Sequence, residues 1–277
     1  MRADGGSGRG GAPAILVFDS GVGGLSVLAE IRALLPAANL IFASDNAAFP
    51  YGTKTEAELL PRVSEVIDRL VARFTPDVVV VACNTASTLA LPALRGRLGV
   101  PVVGVVPAIK PAAMQSRSGV IGLLATPATV RRPYTDNLIA AYAAECIVRR
   151  LGSAELVDLA ERKLRGERID RAVVSGLIAP LFEGELGGRL DTIVLACTHF
   201  PLLGEELRAA APRALAWIDS APAVARRVKA VLEERGRSGA AESPHPRGIA
   251  VFTAETPSVA ALIPALRRVG LDETAYL

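Results

Sequence analysis

The chain has 277 residues, of which 51% are hydrophobic, so it can bury a large core in one or two domains. The net charge is only +3 and the arginines are spread along predicted helices, without interleaved aromatic residues, which argues against nucleic-acid binding. Three cysteines without C-x-x-C or His-rich spacing argue against a disulfide scaffold, a redox dithiol and a metal site.

Residues 1–13 are rich in glycine and lack an apolar segment, so we predict a disordered leader rather than a signal peptide or a membrane anchor. Asp, Arg or Gly interrupts every apolar run before it reaches the roughly 18 residues that a membrane span requires. We therefore expect a cytoplasmic protein that has neither membrane nor nucleic acid as a partner.

Strand and helix patterns alternate along the chain. Predicted strands lie at 14–20, 39–45, 77–83, 100–106, 119–125, 191–197, 214–220 and 248–255. Predicted helices lie at 25–35, 55–74, 136–151, 223–235, between 197 and 211 and at the C-terminus, with a weak strand and helix near 154–164 and a polar loop at 236–248. Pro61 is expected to disturb the first turn of its helix. This alternation is typical of α/β proteins with parallel sheets between helices.

Two segments repeat one pattern: DVVVVACNTASTLALPALR begins at Asp77 and DTIVLACTHFPLLGEELR begins at Asp191. In each, a buried strand ends in Ala-Cys and two polar residues, and a helix follows. We predict two pseudo-symmetric α/β lobes, each with a mostly parallel sheet flanked by helices, and an active site in the cleft between them. The first lobe is predicted to comprise residues 14–106 and 221–277, and the second residues 107–220.

Cys83 and Cys197 lie where a strand passes into a helix, which is where ligands bind in open α/β sheets. Helix amides and polar neighbours can lower a thiol pKa from about 8.5 to roughly 3.5–7.5, so these cysteines are candidate acid/base groups. Two thiols on opposite faces of one carbon could remove a proton from one face and return one to the other. For Cys146, within an apolar helical pattern, a packing role is the preferred interpretation.

Other candidates follow the remaining strands. Asp19 and Ser20 lead into a glycine-rich turn, whose amides we expect to contact an anion; a simple turn is the alternative. The turn lacks the third glycine of the dinucleotide-binding motif. The stretch Pro50-Tyr51-Gly52 supplies a turn with an aromatic hydroxyl. His199 stands two residues from Cys197, where it could relay protons or activate the thiol.

The motifs DSGVGGLSVL, PYG, ACNTAS, GVVPA, GLLAT and ACTHFPLL occur in this order from about Ile15 onward. By these motifs the chain resembles the aspartate/glutamate racemase family and, within it, the glutamate racemases. The resemblance implies a cofactor-independent isomerase that interconverts L- and D-glutamate for peptidoglycan synthesis, and hence for cell-wall biogenesis and cell shape. Glutamate would be its small-molecule partner, without metal or pyridoxal phosphate, and a homodimer is left open.

The resemblance also implies roles for individual residues. Cys83 would take the α-proton of D-glutamate with help from Asp19, and Cys197 that of L-glutamate with help from His199. The residues that would bind the amino acid are Asp19, Ser20, Pro50, Tyr51, Gly52, Asn84, Thr85, Thr198 and His199. A looser match places the family's site-flanking glutamate at Glu161.

Two alternatives stay open at this point. Another racemase of the same family, acting on aspartate or a different amino acid, would share the two-thiol device. A regulatory protein is the alternative from another class, because some glutamate racemases bind DNA gyrase.

Overall fold

The computed structural model describes residues 11–237 and 246–277. The predicted leader therefore falls mostly outside the described residues, as does most of the predicted loop at 236–248. No helix in the described ranges is both long enough and apolar enough to cross a membrane.

In chain order, the strands are β1 (Ala14–Asp19), β2 (Asn39–Ser44), β3 (Val78–Val81), β4 (Val102–Gly104), β5 (Val120–Ala125), β6 (Ile147–Gly152), β7 (Thr192–Leu195), β8 (Ala216–Asp219), β9 (Gly248–Phe252) and β10 (Glu273–Tyr276). The helices are α1 (Leu25–Leu34), α2 (Glu56–Phe74), α3 (Asn84–Arg97), α4 (Ile109–Gln115), α5 (Pro127–Val130), α6 (Pro133–Tyr142), α7 (Glu155–Leu164), α8 (Arg171–Ile178), α9 (Gly184–Arg189), α10 (Gly204–Ala210), α11 (Ala221–Glu234) and α12 (Pro257–Arg268).

Two parallel sheets organise the described chain. The first has the order β10-β9-β2-β1-β3-β4 and the second the order β6-β5-β7-β8. The second sheet thus repeats the order β2-β1-β3-β4 of the first. Helices flank both sheets, so the predicted α/β class with two parallel sheets is confirmed. We call the first sheet with its helices the first lobe, and the second sheet with its helices the second lobe.

The central strands are apolar on both faces because helices cover both faces of each sheet. The whole of β3 is valine and fully buried. One face of the first sheet packs against α1, α11 and α12, and the other against α2 and α3. This packing fixes the direction in which the central strands deliver their carboxyl ends, where the polar side chains lie.

The second lobe departs from the sequence prediction in one stretch. The predicted helix at 136–151 is wrong beyond Tyr142, because residues Ile147–Gly152 form β6. This strand lies at the edge of its sheet and is largely exposed, so it lacks the apolar run that marks a central strand. The weak strand predicted near 154–164 is therefore wrong in position: the strand lies earlier in the chain, at β6, and residues Glu155–Leu164 form α7. Cys146 immediately precedes β6 and packs, half-buried, against the second lobe's core.

Five further elements escaped prediction, namely α4, α5, α8, α9 and β10. None of the four helices is longer than 8 residues, and β10 is a mostly exposed edge strand. Pro61 does not interrupt α2, which is continuous around it and begins with a capping box between Thr55 and Glu58.

The aspartates that open the two repeated segments are structural anchors at the amino ends of β3 and β7. Asp77 accepts a hydrogen bond from the Ala14 amide at 2.8 Å and pairs with Arg237 at 3.1 Å. Asp191 accepts hydrogen bonds from two backbone amides, those of Arg117 and Ser118, both at 2.8 Å. Within the repeat, the aspartate therefore fixes the start of the strand, on the side away from the cysteine.

We expect Asp191→Asn to lower the melting temperature at pH 7 by about 2–4 °C, the shift that about 1 kcal/mol gives in a domain of this size. The new side chain loses the negative charge that favours these hydrogen bonds, and its amino group takes the place of an oxygen that accepts from the Ser116 and Thr192 hydroxyls. Partial burial opposes ionisation of Asp191, but hydrogen bonds from Ser116, Ser118 and Arg117 outweigh it and lower the pKa to about 2.

Because the folded pKa lies below the ordinary value of about 3.9, the ionised group stabilises the fold above that value. This contribution disappears as the pH falls through about 2. Thermal melts by circular dichroism should show the difference from the unmodified protein shrinking over this window. The same change at the exposed Asp272 is the control. A difference that stays constant with pH would contradict this account.

Candidate active site

A cavity of about 490 Å³ opens where the two lobes face each other. It is lined by residues that end or follow β1, β3, β5 and β7, by the loop after β2 and by residues that follow β6. The predicted site residues found in its lining are Asp19, Ser20, Pro50, Tyr51, Gly52, Cys83, Asn84, Thr85, Cys197, Thr198 and His199. Glu161 does not line this cavity but lies directly behind His199.

The structure adds lining residues that the sequence analysis did not single out, namely Phe49, Thr53, Thr126, Pro127, Arg131, Ala154, Val157 and Asp158. Thr126 follows β5 as Ser20 follows β1, and it is the last residue of the motif GLLAT, which is the sequence signal that could have found it. In the described parts of the chain, no three His, Cys, Asp or Glu side chains form a cluster able to hold a metal ion.

Cys83 follows β3 and is the N-cap residue of α3. Cys83 is only 6% exposed, and its Sγ lies 3.8 Å from the Ser20 hydroxyl. Burial, and next the negative charge of Asp19, raise the pKa of this thiol to about 12, although the Ala86 amide and Ser20 act in the opposite direction. Burial and Asp19 therefore outweigh the lowering of the Cys83 pKa that was expected from the helix terminus, and the thiol form is strongly favoured.

Cys197 has a different set of partners. Its Sγ lies 3.8 Å from His199 Nδ1, and His199 Nε2 lies 3.0 Å from Glu161 Oε1. Burial disfavours a charged imidazole, but hydrogen bonds with Cys197 and Glu161 outweigh it and raise the pKa of His199 well above its usual value. Burial likewise opposes ionisation of Glu161, yet His199 and the Val22 amide lower its pKa. The second thiol therefore faces an imidazolium supported by a carboxylate.

Asp19 joins the two lobes from a fully buried position. Its Oδ2 accepts a hydrogen bond from the Thr198 hydroxyl at 2.9 Å, across the cleft. Its Oδ1 accepts one from the Ser20 amide at 2.5 Å and one from the Ser20 hydroxyl at 3.2 Å. The carboxylate therefore reaches the Cys83 thiol through Ser20 while it also holds the residue next to Cys197.

The glycine-rich turn after β1 lies against the second lobe. A Cβ at Gly23 would lie 2.5 Å from His199 Nδ1, and one at Gly21 would collide with Glu161 Oε1. The Val22 amide donates to Glu161 Oε1 at 2.8 Å. The anion that this turn contacts is thus a carboxylate of the protein itself, and the glycines are needed for close approach of the lobes.

Tyr51 lines the cavity, but its hydroxyl is already engaged by the protein. It donates to Asp45 Oδ2 at 2.7 Å, and Asp45 also accepts two hydrogen bonds from Arg62, at 2.7 and 2.9 Å. Thr253 donates to the same carboxylate at 2.7 Å. This network, which the sequence analysis missed, fixes the loop that carries Pro50 and Gly52.

The first turn of α3 presents unused polar groups beside Cys83. Backbone amides in the first turn of a helix lack partners within the helix and favour an anion. Asn84 Oδ1 is buried without a hydrogen-bond partner in the described structure. A buried acceptor without a partner is costly unless a ligand donates to it, so this turn is suited to an amino acid with its carboxylate and its ammonium.

The model of the Asp/Glu/Hydantoin racemase family matches residues 15–228. The chain belongs to this family. Among relatives, a glutamate racemase of Pectobacterium carotovorum subsp. carotovorum is 50% identical over 265 residues, which cover 96% of this chain and 91% of the relative.

Solved structures of the racemase family agree with this membership. The crystal structure of Escherichia coli glutamate racemase in complex with L-glutamate and activator UDP-MurNAc-Ala is similar with a TM-score of 0.90 and 48% identity, covering 96% of this chain and 98% of that one. Glutamate racemase from Thermus thermophilus, in complex with β-chloro-D-alanine, has a TM-score of 0.75 and 32% identity, covering 98% and 97%.

Proposed function

We propose that this protein interconverts L- and D-glutamate by proton transfer between Cys83 and Cys197. The observation that carries the proposal is that two buried thiols, each from one copy of a repeated strand-Cys-helix unit, line one cavity of about 490 Å³. The choice of glutamate is supported by relatives of that activity at 50% and 48% identity.

In the direction from L- to D-glutamate, the Cys197 thiolate removes the α-proton. The imidazolium of His199, 3.8 Å from the sulfur, stabilises the thiolate, and Glu161 stabilises the imidazolium. Cys83 then returns a proton to the opposite face of the α-carbon. Its raised pKa means that this residue carries the required proton at neutral pH.

In the reverse direction, Cys83 must be the thiolate and Cys197 the thiol. Burial and Asp19 disfavour the Cys83 thiolate in the free protein. The ammonium group of bound glutamate, placed beside Asp19 and Cys83, would offset this negative charge. Substrate binding itself would therefore help to form the base in this direction.

The carbanion formed between the two steps requires strong stabilisation, since an amino acid α-proton is very weakly acidic. The amides of the first turn of α3 and the Thr85 hydroxyl are the donors placed to hold the α-carboxylate as charge develops on it, since the Thr198 hydroxyl already donates its proton to Asp19. Asn84 Oδ1 is the acceptor placed for the ammonium. Enclosure between the lobes lowers the local dielectric and strengthens each of these contacts.

The proposal extends to the role and organisation of the protein. The D-glutamate formed would supply peptidoglycan synthesis from the cytoplasm, without pyridoxal phosphate or metal. We also propose lobe boundaries at 14–106 with 221–277, and at 107–220. The pairing of β9 with β2 and of β10 with β9 supports assignment of the C-terminal segment to the first lobe.

We predict strong preference for glutamate over aspartate, because the relatives at 50% and 48% identity are glutamate racemases. Circular dichroism of the amino acid during turnover measures racemisation directly, with L- and D-enantiomers of both substrates run in parallel and without added pyridoxal phosphate. A chelator should leave the rate unchanged.

Comparable rates on aspartate, or loss of activity with the chelator, would refute this substrate and mechanism. Absence of racemisation on every amino acid would instead favour the DNA gyrase-binding alternative.

A further inference from the structure

Arg132 reaches from the second lobe to the helix that begins next to Cys83. It precedes α6, and its Nη1 donates to Thr88 Oγ1 at 2.6 Å and to the Thr85 carbonyl oxygen at 3.3 Å. Both acceptors belong to the first turns of α3, which starts immediately after Cys83. A guanidinium group of one lobe therefore holds the turn that carries the thiol of the other.

A corresponding contact exists on the opposite side of the cleft. Ser26, in the helix after β1, places its hydroxyl 2.9 Å from the Thr198 carbonyl oxygen, next to Cys197. Since β1 and β5 occupy equivalent places in the repeated strand order, Ser26 and Arg132 are placed alike. The Ser26 hydroxyl also lies 2.8 Å from the Gly23 carbonyl and has one proton to share, whereas Arg132 carries several fixed donors.

Cys83 needs such external support more than Cys197 does. Cys197 is oriented by His199 and Glu161, whereas the hydrogen-bond partners of the Cys83 sulfur are the Ser20 hydroxyl and the Ala86 amide. The direction of the Cys83 thiol therefore depends on the position of the first turn of α3. Arg132 is half-buried against this turn, and it stays a cation at neutral pH although burial lowers its pKa.

We propose that Arg132 is a positioning residue that fixes the Cys83 turn when the lobes meet, and so aligns this thiol with the face of the α-carbon that carries the proton of D-glutamate. The proposal rests on the proposed racemisation. It predicts that loss of Arg132 impairs the Cys83 half of the reaction selectively.

Elimination of chloride from 3-chloroglutamate separates the two halves, because it uses one base only. The thiolate takes the α-proton, the C–H electron pair forms the Cα–Cβ double bond, and chloride leaves. The resulting enamine tautomerises and is hydrolysed by water to 2-oxoglutarate and ammonium. The D-configured analogue reports on Cys83 and the L-configured analogue on Cys197.

Arg132→Gln should lower kcat for the D-analogue roughly tenfold or more, within the effect that a small misplacement of a reacting group produces. The rate on the L-analogue should stay within about twofold. Arg132→Lys should recover part of the loss because it restores a charged donor. Thr88→Val, which keeps side-chain shape, should act in the same direction, and its effect should not add to that of Arg132→Gln because the two share one contact.

Arg149→Gln is the matched control. Arg149 donates to the Pro180 carbonyl oxygen at 2.7 Å within the second lobe and makes no hydrogen bond across the cleft among the described residues. It should leave both elimination rates unchanged. Equal slowing on both analogues by Arg132→Gln, or no slowing on either, would overturn the positioning role.

Thiol labelling tests the same idea without turnover. With iodoacetamide and peptide mass spectrometry, Arg132→Gln and Thr88→Val should change the alkylation rate of Cys83 severalfold relative to that of Cys197. Identical ratios in all variants would refute the proposal. If the unmodified protein processed neither analogue nor glutamate, the proposed function would fail, and labelling would still decide the role of Arg132.

Discussion

Replacing Cys83 or Cys197 by serine should lower glutamate racemisation by at least roughly 10²-fold, the contribution that a positioned acid/base group commonly makes. Serine is far too weak an acid to exchange a proton at neutral pH, so it cannot replace the cysteine on the face of the α-carbon that this cysteine serves. Cys146→Ser should leave the rate nearly intact, since Cys146 packs against the core outside the cavity lining. Circular dichroism of the amino acid gives the three rates.

The two variants should differ in the enantiomer that they still deprotonate. In deuterated water, Cys83→Ser should fail to remove the α-proton of D-glutamate, and Cys197→Ser that of L-glutamate. Mass spectrometry of each pure enantiomer follows the loss of the α-proton. Equal failure on both enantiomers would show that the assignment of faces is wrong, and full racemisation by either variant would eliminate the two-base mechanism.

The pH dependence of kcat/KM should be bell-shaped, and Glu161→Gln should move its alkaline limb to lower pH. The acid limb reports loss of the catalytic thiolate, and the limbs together give macroscopic pKa values of the coupled site. Because Cys83 keeps its proton until about pH 12, His199 is the group that first loses a proton on the alkaline side. When the Glu161 carboxylate, which raises the pKa of His199, is removed, His199 loses its proton at a lower pH.

We expect Glu161→Gln also to lower kcat/KM roughly 10-fold to 10²-fold, because the imidazolium loses its support. Both enantiomers should show the same profile, since their equilibrium constant is fixed at unity by symmetry. Glu206→Gln is the control, because Glu206 pairs with Lys163, which lies on the same helix as Glu161, and makes no hydrogen bond with His199 in the described structure. A flat profile from about pH 6 to pH 10, around the ordinary cysteine pKa, would contradict the proton arrangement. An unmoved alkaline limb in Glu161→Gln would exclude His199 as its source.

The sequence predicted those parts of the fold that local pattern controls. The buried central strands and the cysteines that follow them could be predicted because a short apolar run that ends in polar residues is typical of a buried strand. Strand β6 was taken for helix because it is an exposed edge strand whose burial is set by its neighbours rather than by its own residues. The short helices α8 and α9 carry glycines that obscure their periodicity.

Within the site, the sequence predicted the residues that belong to motifs. It did not predict contacts between residues that are far apart in the chain. Asp45, Arg62 and Thr253 come together over separations of 17 and 208 residues, and no spacing along the chain reveals this. Glu161 was placed only by a loose resemblance, yet it is bonded to His199, 38 residues away. The raised pKa of Cys83 was missed because a helix terminus is visible in sequence, whereas the degree of burial is not.

Each copy of the four-strand unit delivers its sulfur from a single direction. A molecule with only one copy could exchange the α-hydrogen of one enantiomer with solvent. It would leave the configuration unchanged, because no proton donor would lie on the opposite face of the α-carbon. In the proposed mechanism, two facing copies give each enantiomer a proton acceptor on one face and a proton donor on the other. The repeat of the four-strand unit then corresponds to the mirror relation between the two forms of glutamate.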